Sequence, residues 1–464
     1  MPSYSLGAEA QARPGCERGP TKCMERLPET VPGWEPLLTA GRTISRDGLF
    51  RLIAMRRLLF LVAMLLVPLA ASVPVCASAT ARQPILATLD TASTSRLFYV
   101  DPVSLRPIGA RSLGLDFHWG DFTRSPEGAL LVLSSNDAPE LRFVRLPGMR
   151  FVGSMTFTGG QFVRLVAWPS PHLLLALLDS SPERVLAIDP STRKVLWRRS
   201  VDGTVVDIQA APGRVVVLAA PANKIGPARI VVIGTGGSVR SVVLERVLAG
   251  FHHKQGSQDF IAKNRTPGLA IDPAGERAYV VGADEPVAQI GLASMRVRYH
   301  GGLRVPAKAV SGPLRQATWL GNGMLAVSGT DSSISTDAQG NVKQDTAPAG
   351  LLLINTHSWT SRSLQPNAEA TITAGSSLLA YRSGYDSATK TRAGSGLTIY
   401  SLDGTPRVHL LAHTSIDWVQ SQGGLAYVWL TNPNGLADHV VVIDPGSGRI
   451  LARETRSITL LTRS

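Results

Sequence analysis

Seven positions, Asp121, Arg164, Asp207, Gly268, Arg315, Thr371 and Asp417, recur at one register of a repeating strand, separated by 43, 43, 61, 47, 56 and 46 residues. All but Gly268 carry a polar side chain, with three carboxylates and two guanidiniums among them. Their neighbours are apolar, as in Val163-Arg164-Leu165-Val166 and Val205-Val206-Asp207-Ile208. Opposite charges gathered in a narrow space can grip a polar ligand, or they can satisfy one another and trapped water. Both readings are open from the sequence. On the first, Asp121, Arg164, Asp207, Arg315, Thr371 and Asp417 are the candidate ligand-binding residues. No residue is assigned a catalytic or metal-binding role, and no cofactor is expected.

Other groupings point to chemistry less well. His118 lies three residues before Asp121, but a general-base pair needs a nucleophile, and none can be nominated. His252 and His253, near Lys254 and Asp259, are adjacent on an extended chain, where neighbouring side chains point to opposite sides and seldom chelate together. Asp331, Asp337, Asn341 and Asp345 supply oxygen ligands in a Gly-containing loop, yet their spacing departs from the EF-hand pattern. Nucleophile-elbow, Walker and dinucleotide-binding fingerprints are absent in any suitable setting.

The elements that would position these residues are short strands. Each unit of about 45 residues reads as four runs rich in Val, Leu and Ile, separated by Gly, Pro, Asp or Ser turns, labelled A to D from the innermost outward. The clearest is VRLVAWP, HLLLALLD, RVLAIDP and KVLWRRSV, from Val163, His172, Arg184 and Lys194. Radially repeated four-stranded units make an all-β fold, a β-propeller. Stepping back 43 residues from Asp121 reaches the apolar leader, so the first unit has B, C and D runs and no A run of its own. SITLLTRS (Ser457–Ser464) follows the last D run with nothing to pair with. It is therefore expected to enter the first blade as its innermost strand, giving eight blades; seven remain open if the first or sixth unit is irregular.

The run Leu186–Trp197, LAIDPSTRKVLW, resembles the Ala-x-Asp-x-x-Thr-Gly-Lys-x-x-Trp signature of quinoprotein-type eight-bladed propellers. It matches at Ala187, Asp189, Thr192, Lys194 and Trp197, with Arg193 in place of Gly. VVVIDPGSGRILA in the last unit is a weaker copy without the Trp. LAIDPAGERAYVVG (Leu269–Gly282) is similar to the Tyr-Val-Thr-Asn class of propeller repeats. The quinoprotein resemblance implies that Trp197 docks against the neighbouring blade. The enzymes of that family hold a quinone with calcium and often a vicinal cysteine pair; this chain has no such pair.

Length variation falls on two classes of link. A–B and C–D links are tight turns, whereas the D–A link Gly250–Thr266 and the B–C links Gly329–Gly350 and Arg382–Gly396 are long and polar. Strand alternation puts D–A and B–C links on one rim, where a rigid scaffold would carry a binding site.

Composition bounds the rest. Apolar residues make up 44% and charged residues 17%, which suits a sheet-rich globular chain. The net charge of +13 is carried by scattered arginines without Lys/Arg runs or an aromatic platform, so nucleic acid is not an expected partner. Arg56-Arg57, the uncharged Leu58–Ala81 and its small terminal residues form the three parts of a secretory leader, with an uncleaved signal anchor as the alternative. The expected organisation is an N-terminal extension over 1–54 (translation starting at Met55), a signal peptide over 55–81, and the propeller over 82–464. Cys16, Cys23 and Cys76 all precede the expected cleavage, leaving the mature chain without a disulfide. Together these readings describe a secreted, monomeric propeller that binds a ligand or envelope protein on the D–A/B–C rim without catalysis. The alternative is an enzyme on the same scaffold, lactonase- or hydrolase-like or a degenerate quinoprotein.

Overall fold

Burial explains why the runs differ in texture. A B strand is covered on both faces by adjacent blades, so it reads as an unbroken apolar run: every residue of Leu425–Thr431 is buried. A D strand lies at the outer edge, and Lys194–Ser200 alternates exposed and half-buried residues. In the computed structural model the described residues are 82–464, except 91–94, 255–259, 308–311, 337–341, 383–384, 387–390, 393, 432–436, 457 and 462–464. The N-terminal extension, the leader and the three cysteines lie outside the described residues.

The described residues form an all-β eight-bladed propeller, each blade a four-stranded antiparallel sheet in A-B-C-D order. The A strands of blades 2 to 8 are Trp119–Arg124, Gly160–Ser170, Thr204–Ala211, Gly268–Ile271, Gly312–Gly321, Ala370–Ala374 and Ile416–Gln422. Blade 1 contains Ile85–Asp90, Ser95–Val100 and Pro107–Leu115, and its A strand is Ile458–Leu461 from the other end of the chain. That strand runs antiparallel to Ile85–Asp90, pairing Leu86 with Leu461 and Leu89 with Ile458. The expected closure and the count of eight are both observed.

Each junction between neighbouring blades holds its own apolar cluster, and the clusters run round the ring without a gap. At the junction of blades 8 and 1, Tyr427, Trp429 and Val440 pack on Ile85, Phe98 and Leu460. Two polar contacts reinforce it. Trp429 Nε1 donates to the Ile458 carbonyl at 2.9 Å, and the Tyr427 hydroxyl donates to the Pro102 carbonyl at 2.9 Å.

The C–D turns differ in length but share a left-handed residue near their end: Leu105, Met149, Arg193, Gly237, Met295, Trp359, Gly404 and Gly448. The quinoprotein-like signature has Gly here because that conformation suits a residue without a Cβ. Arg193 adopts it at φ 54° and gains a hydrogen bond from Nη1 to the Val152 carbonyl of blade 2 at 2.9 Å. Trp197, as the resemblance implies, docks on blade 4: its Nε1 donates to the Thr235 carbonyl at 3.0 Å, beside Gly237.

The long links fold as continuations of the blades. In blade 4 the D strand extends over Val239–Lys254 and turns back as Phe260–Arg265. In blade 6 the B strand extends over Met324–Thr336 and pairs with Val342–Pro348. A two-residue pair, Tyr385–Asp386 with Thr391–Arg392, stands on blade 7. Among the described residues no helix is long and apolar enough to cross a membrane.

Candidate binding rim

The column of polar residues is assembled by the A strands, but its members do different things. Asp121 and Asp417 occupy bulges, where the A strand carries one residue more than its B partner, and Asp207 follows such a bulge. A bulge turns the side chain away from the sheet's regular alternation. Asp121 uses this to bridge blades: Oδ1 accepts from its neighbour Phe122 N at 2.8 Å and Oδ2 from Leu165 N of blade 3 at 2.8 Å. Asp207 repeats the arrangement two junctions further. Its Oδ1 accepts from Ile208 N at 2.7 Å, and it also accepts from Leu269 N of blade 5 and from Gln209 Nε2. Gln209 completes the link by donating to the Leu269 carbonyl at 2.6 Å.

Arg315 goes elsewhere. It is 2% exposed, and its Nη1 pairs with Asp331 Oδ1 at 2.7 Å, with both side chains buried. Nη2 donates to the Pro306 carbonyl at 2.7 Å. Its strand has no bulge at this point, since Arg315 lies opposite Gly329 in regular register. The Thr371 hydroxyl meets the Ser328 hydroxyl of blade 6 at 3.3 Å. Asp417 is buried. The column is thus not one ring of facing charges: two of its members clasp blades, and Arg315 is withdrawn into blade 6.

Arg164 meets several carboxyls. It lies within electrostatic reach of Asp179, Glu183 and Asp207. Asp179 and Glu183 bracket the short B–C turn of blade 3, Asp179-Ser180-Ser181-Pro182-Glu183. Beside that turn opens a cleft of ≈ 330 Å³ lined by Gly159, Gly160, Gln161, Asp179, Ser180 and Ser181. Gly159 ends the D–A link and Gly160 and Gln161 open the A strand of blade 3, so the cleft lies where a D–A link meets a B–C link. Glycine at 160 is a requirement of close approach, since a Cβ there would lie 2.8 Å from the Asp179 carbonyl oxygen.

Burial raises each of the carboxyls that Arg164 reaches. Burial pushes Asp179 up, with Arg164 opposing. Burial also raises Glu183, against the Val205 amide that it accepts and against Arg164, while Asp179 adds to the rise. Asp207 rises to about 6 because burial outweighs its amide donors, Gln209 and Arg164. A further carboxyl stands apart: Glu285 is pushed to about 7 by burial although it accepts from Leu248 N and pairs with Arg265 at 3.2 Å. Asp179 and Glu183 were not singled out from sequence. The available signal was two acids four residues apart on either side of a rim turn.

The other groupings resolve simply. His118 engages Asp137, through Nδ1 at 3.3 Å and through its backbone N at 3.0 Å. Asp331 is occupied by Arg315, whereas Asp337 and Asn341, like Asp259, lie outside the described residues. His252 is exposed. Among the described residues, no three His, Cys, Asp or Glu side chains converge as a metal would require.

The architecture places the chain among eight-bladed β-propellers. Among solved structures, the first of the following agrees at the level of fold. Dihydro-heme d1 dehydrogenase NirN in complex with DHE aligns over 81% of this chain and 74% of its own, with TM-score 0.52 and 12% identity. BamB from Moraxella catarrhalis aligns over 78% and 92%, with TM-score 0.42 and 11% identity. The Cps50 (Swd1) β-propeller domain of Myceliophteria thermophila aligns over 69% and 95%, with TM-score 0.40 and 11% identity. No family model matches the sequence. No curated protein matches it either.

Proposed function

We propose that this protein is an extracytoplasmic, non-catalytic binding propeller whose ligand enters the cleft on the D–A/B–C rim at blade 3. The observation that carries the reading is the coincidence of a cleft with charge. Asp179 and Glu183 answer to one guanidinium, Arg164, beside a recess lined by Gly159, Gly160, Gln161, Ser180 and Ser181. Rigid strands hold these groups, and the two links that meet there are the classes whose length varies round the ring. With the carboxyl of Asp179 in its lining and Glu183 close behind, the cleft favours a small polar molecule bearing an amine or guanidine. Such a cation favours the ionised form of Asp179 and donates hydrogen bonds to its carboxylate in a partly dry setting. Asp121 and Asp207 act here as clasps between blades and keep the inner strands in register. Secretion through the leader over 55–81 belongs to the same proposal.

Calorimetric titration with spermidine and arginine tests it. At least one should bind with sub-millimolar affinity, and Asp179→Asn should weaken that binding about tenfold, the worth of one charge-assisted hydrogen bond. Equal affinity in wild type and variant would remove the cleft from the reading.

A further inference from the structure

The exposed large apolar side chains of the described residues are Ile108, Phe151, Leu196, Val239 and Ile450, at 40, 42, 55, 45 and 38% exposure. A scatter of such residues over a surface is ordinary. These are not scattered. All five lie on D strands, each within the first three residues after the C–D turn: Pro107–Leu115, Arg150–Thr156, Lys194–Ser200, Val239–Lys254 and Arg449–Glu454. They belong to blades 1, 2, 3, 4 and 8, which are consecutive round the closed ring. Blades 5 to 7 break the pattern, with the half-buried Val297, the hydroxyl of Ser361 and the half-buried Val408 near the corresponding places.

Basic residues accompany the apolar ones. Arg106, Arg150, Lys194 and Arg449 are exposed at the ends of the same C–D turns. The acids of these turns are folded back. Asp101 accepts from Val103 N, Ser104 N and the Ser104 hydroxyl; Asp189 accepts from Ser191 and Thr192; Asp444 accepts from Gly446 N and Ser447. C–D turns leave on the face opposite the D–A/B–C rim, so this arc and the candidate cleft are on different faces.

We infer that the arc of D-strand starts on blades 8, 1, 2, 3 and 4 is a peripheral docking surface for an anionic phospholipid bilayer. Apolar side chains at one height, flanked by cations, match the interfacial layer of a bilayer, where the first enter the acyl boundary and the second meet phosphates. Confinement to five of eight blades implies a tilted ring, with blade 2 at the centre of contact and the opposite rim turned toward solvent.

Vesicle co-sedimentation of residues 82–464, which contain the complete ring, tests this. The ring should pellet with phosphatidylcholine vesicles containing one third phosphatidylglycerol, far less with phosphatidylcholine alone, and less again when salt is raised to about 0.5 M. Phe151→Ser with Leu196→Ser should lower the partition coefficient about tenfold or more, from the lost apolar insertion. Charge reversal at exposed sites, Arg150→Glu with Lys194→Glu, serves as a second variant in case the first misfolds, and a far-UV spectrum checks both. Failure of wild type to pellet, or equal pelleting by wild type and folded variants, overturns the inference. So does a wild-type dimer, seen by light scattering, that the same substitutions dissociate while vesicle binding is absent; the arc would then be covered by a second copy.

Discussion

At the residue scale, Asp207 is a case where position was legible and role was not. Recurrence with Asp121 and Asp417 at one register is visible in the sequence. The bulges that re-aim them are not, because a bulge changes pairing without changing residue spacing. Once turned, Asp207 spends its oxygens on Ile208, Gln209 and Leu269. Its raised value has a measurable consequence. Folding shifts this carboxyl from its ordinary 3.8 to about 6, so the folded state holds the proton more tightly than the unfolded state does. Below about 4 both states are protonated and the group is neutral in effect. As pH rises through that window to above about 6, ionisation costs the folded state up to about 3 kcal/mol. Asp207→Asn removes the titration, so the melting temperature of wild type minus that of the variant should fall as pH rises from about 4 to about 8. A difference that stays flat across the series would mean that Asp207 keeps an ordinary carboxylate value.

At the element scale, the sequence carried further. Strand runs, tight A–B and C–D turns and the register of the A strands are all visible, because a strand buried on both faces must be apolar throughout and a turn must carry Gly, Pro or Asp. The links were legible as insertions but not as hairpins, since Gly329–Gly350 is polar on both sides of its turn and has no core face to set a period of two. The cleft was less legible still: it depends on Gly160 lying against the Asp179 carbonyl, a contact between separate strands. The C-terminal strand is the element with the clearest energetic role. Leu460 is fully buried between blades 8 and 1, and Leu460→Ala should destabilise the ring by about 2–5 kcal/mol through lost contacts and the cavity left behind. Removing residues 458–464 is more severe, because it bares the inner edge of Ile85–Asp90 as an unpaired strand. We expect aggregation or a broad, weakly cooperative melt, followed by size-exclusion chromatography and circular dichroism; a compact monomer with a wild-type melt would deny the strand its closing role.

At the scale of the whole molecule, ring closure decides how stability is shared. Each blade contacts only its two neighbours, as in any linear repeat, but here the last blade meets the first through an apolar junction and a sheet built from both ends of the chain. Separation of blades 8 and 1 therefore requires breaking backbone pairing in blade 1 as well as side-chain packing. A circular permutant separates the two contributions. Leu461 lies opposite Leu86, so a tight A–B turn can join the two, and new termini can be opened in the D–A link between Glu454 and Ile458. Blade 1 then becomes a continuous A-B-C-D sheet, while the junction of blades 8 and 1 keeps its side chains and loses its covalent crossing. The permutant should reach the same β-rich fold, judged by far-UV circular dichroism, yet melt at a lower temperature, with amide exchange rising first in blades 8 and 1. Equal melting temperatures and uniform exchange would show that the apolar junction alone holds the ring shut. In that event the strand contributed by the C-terminal end would be a feature of connectivity without a thermodynamic role of its own.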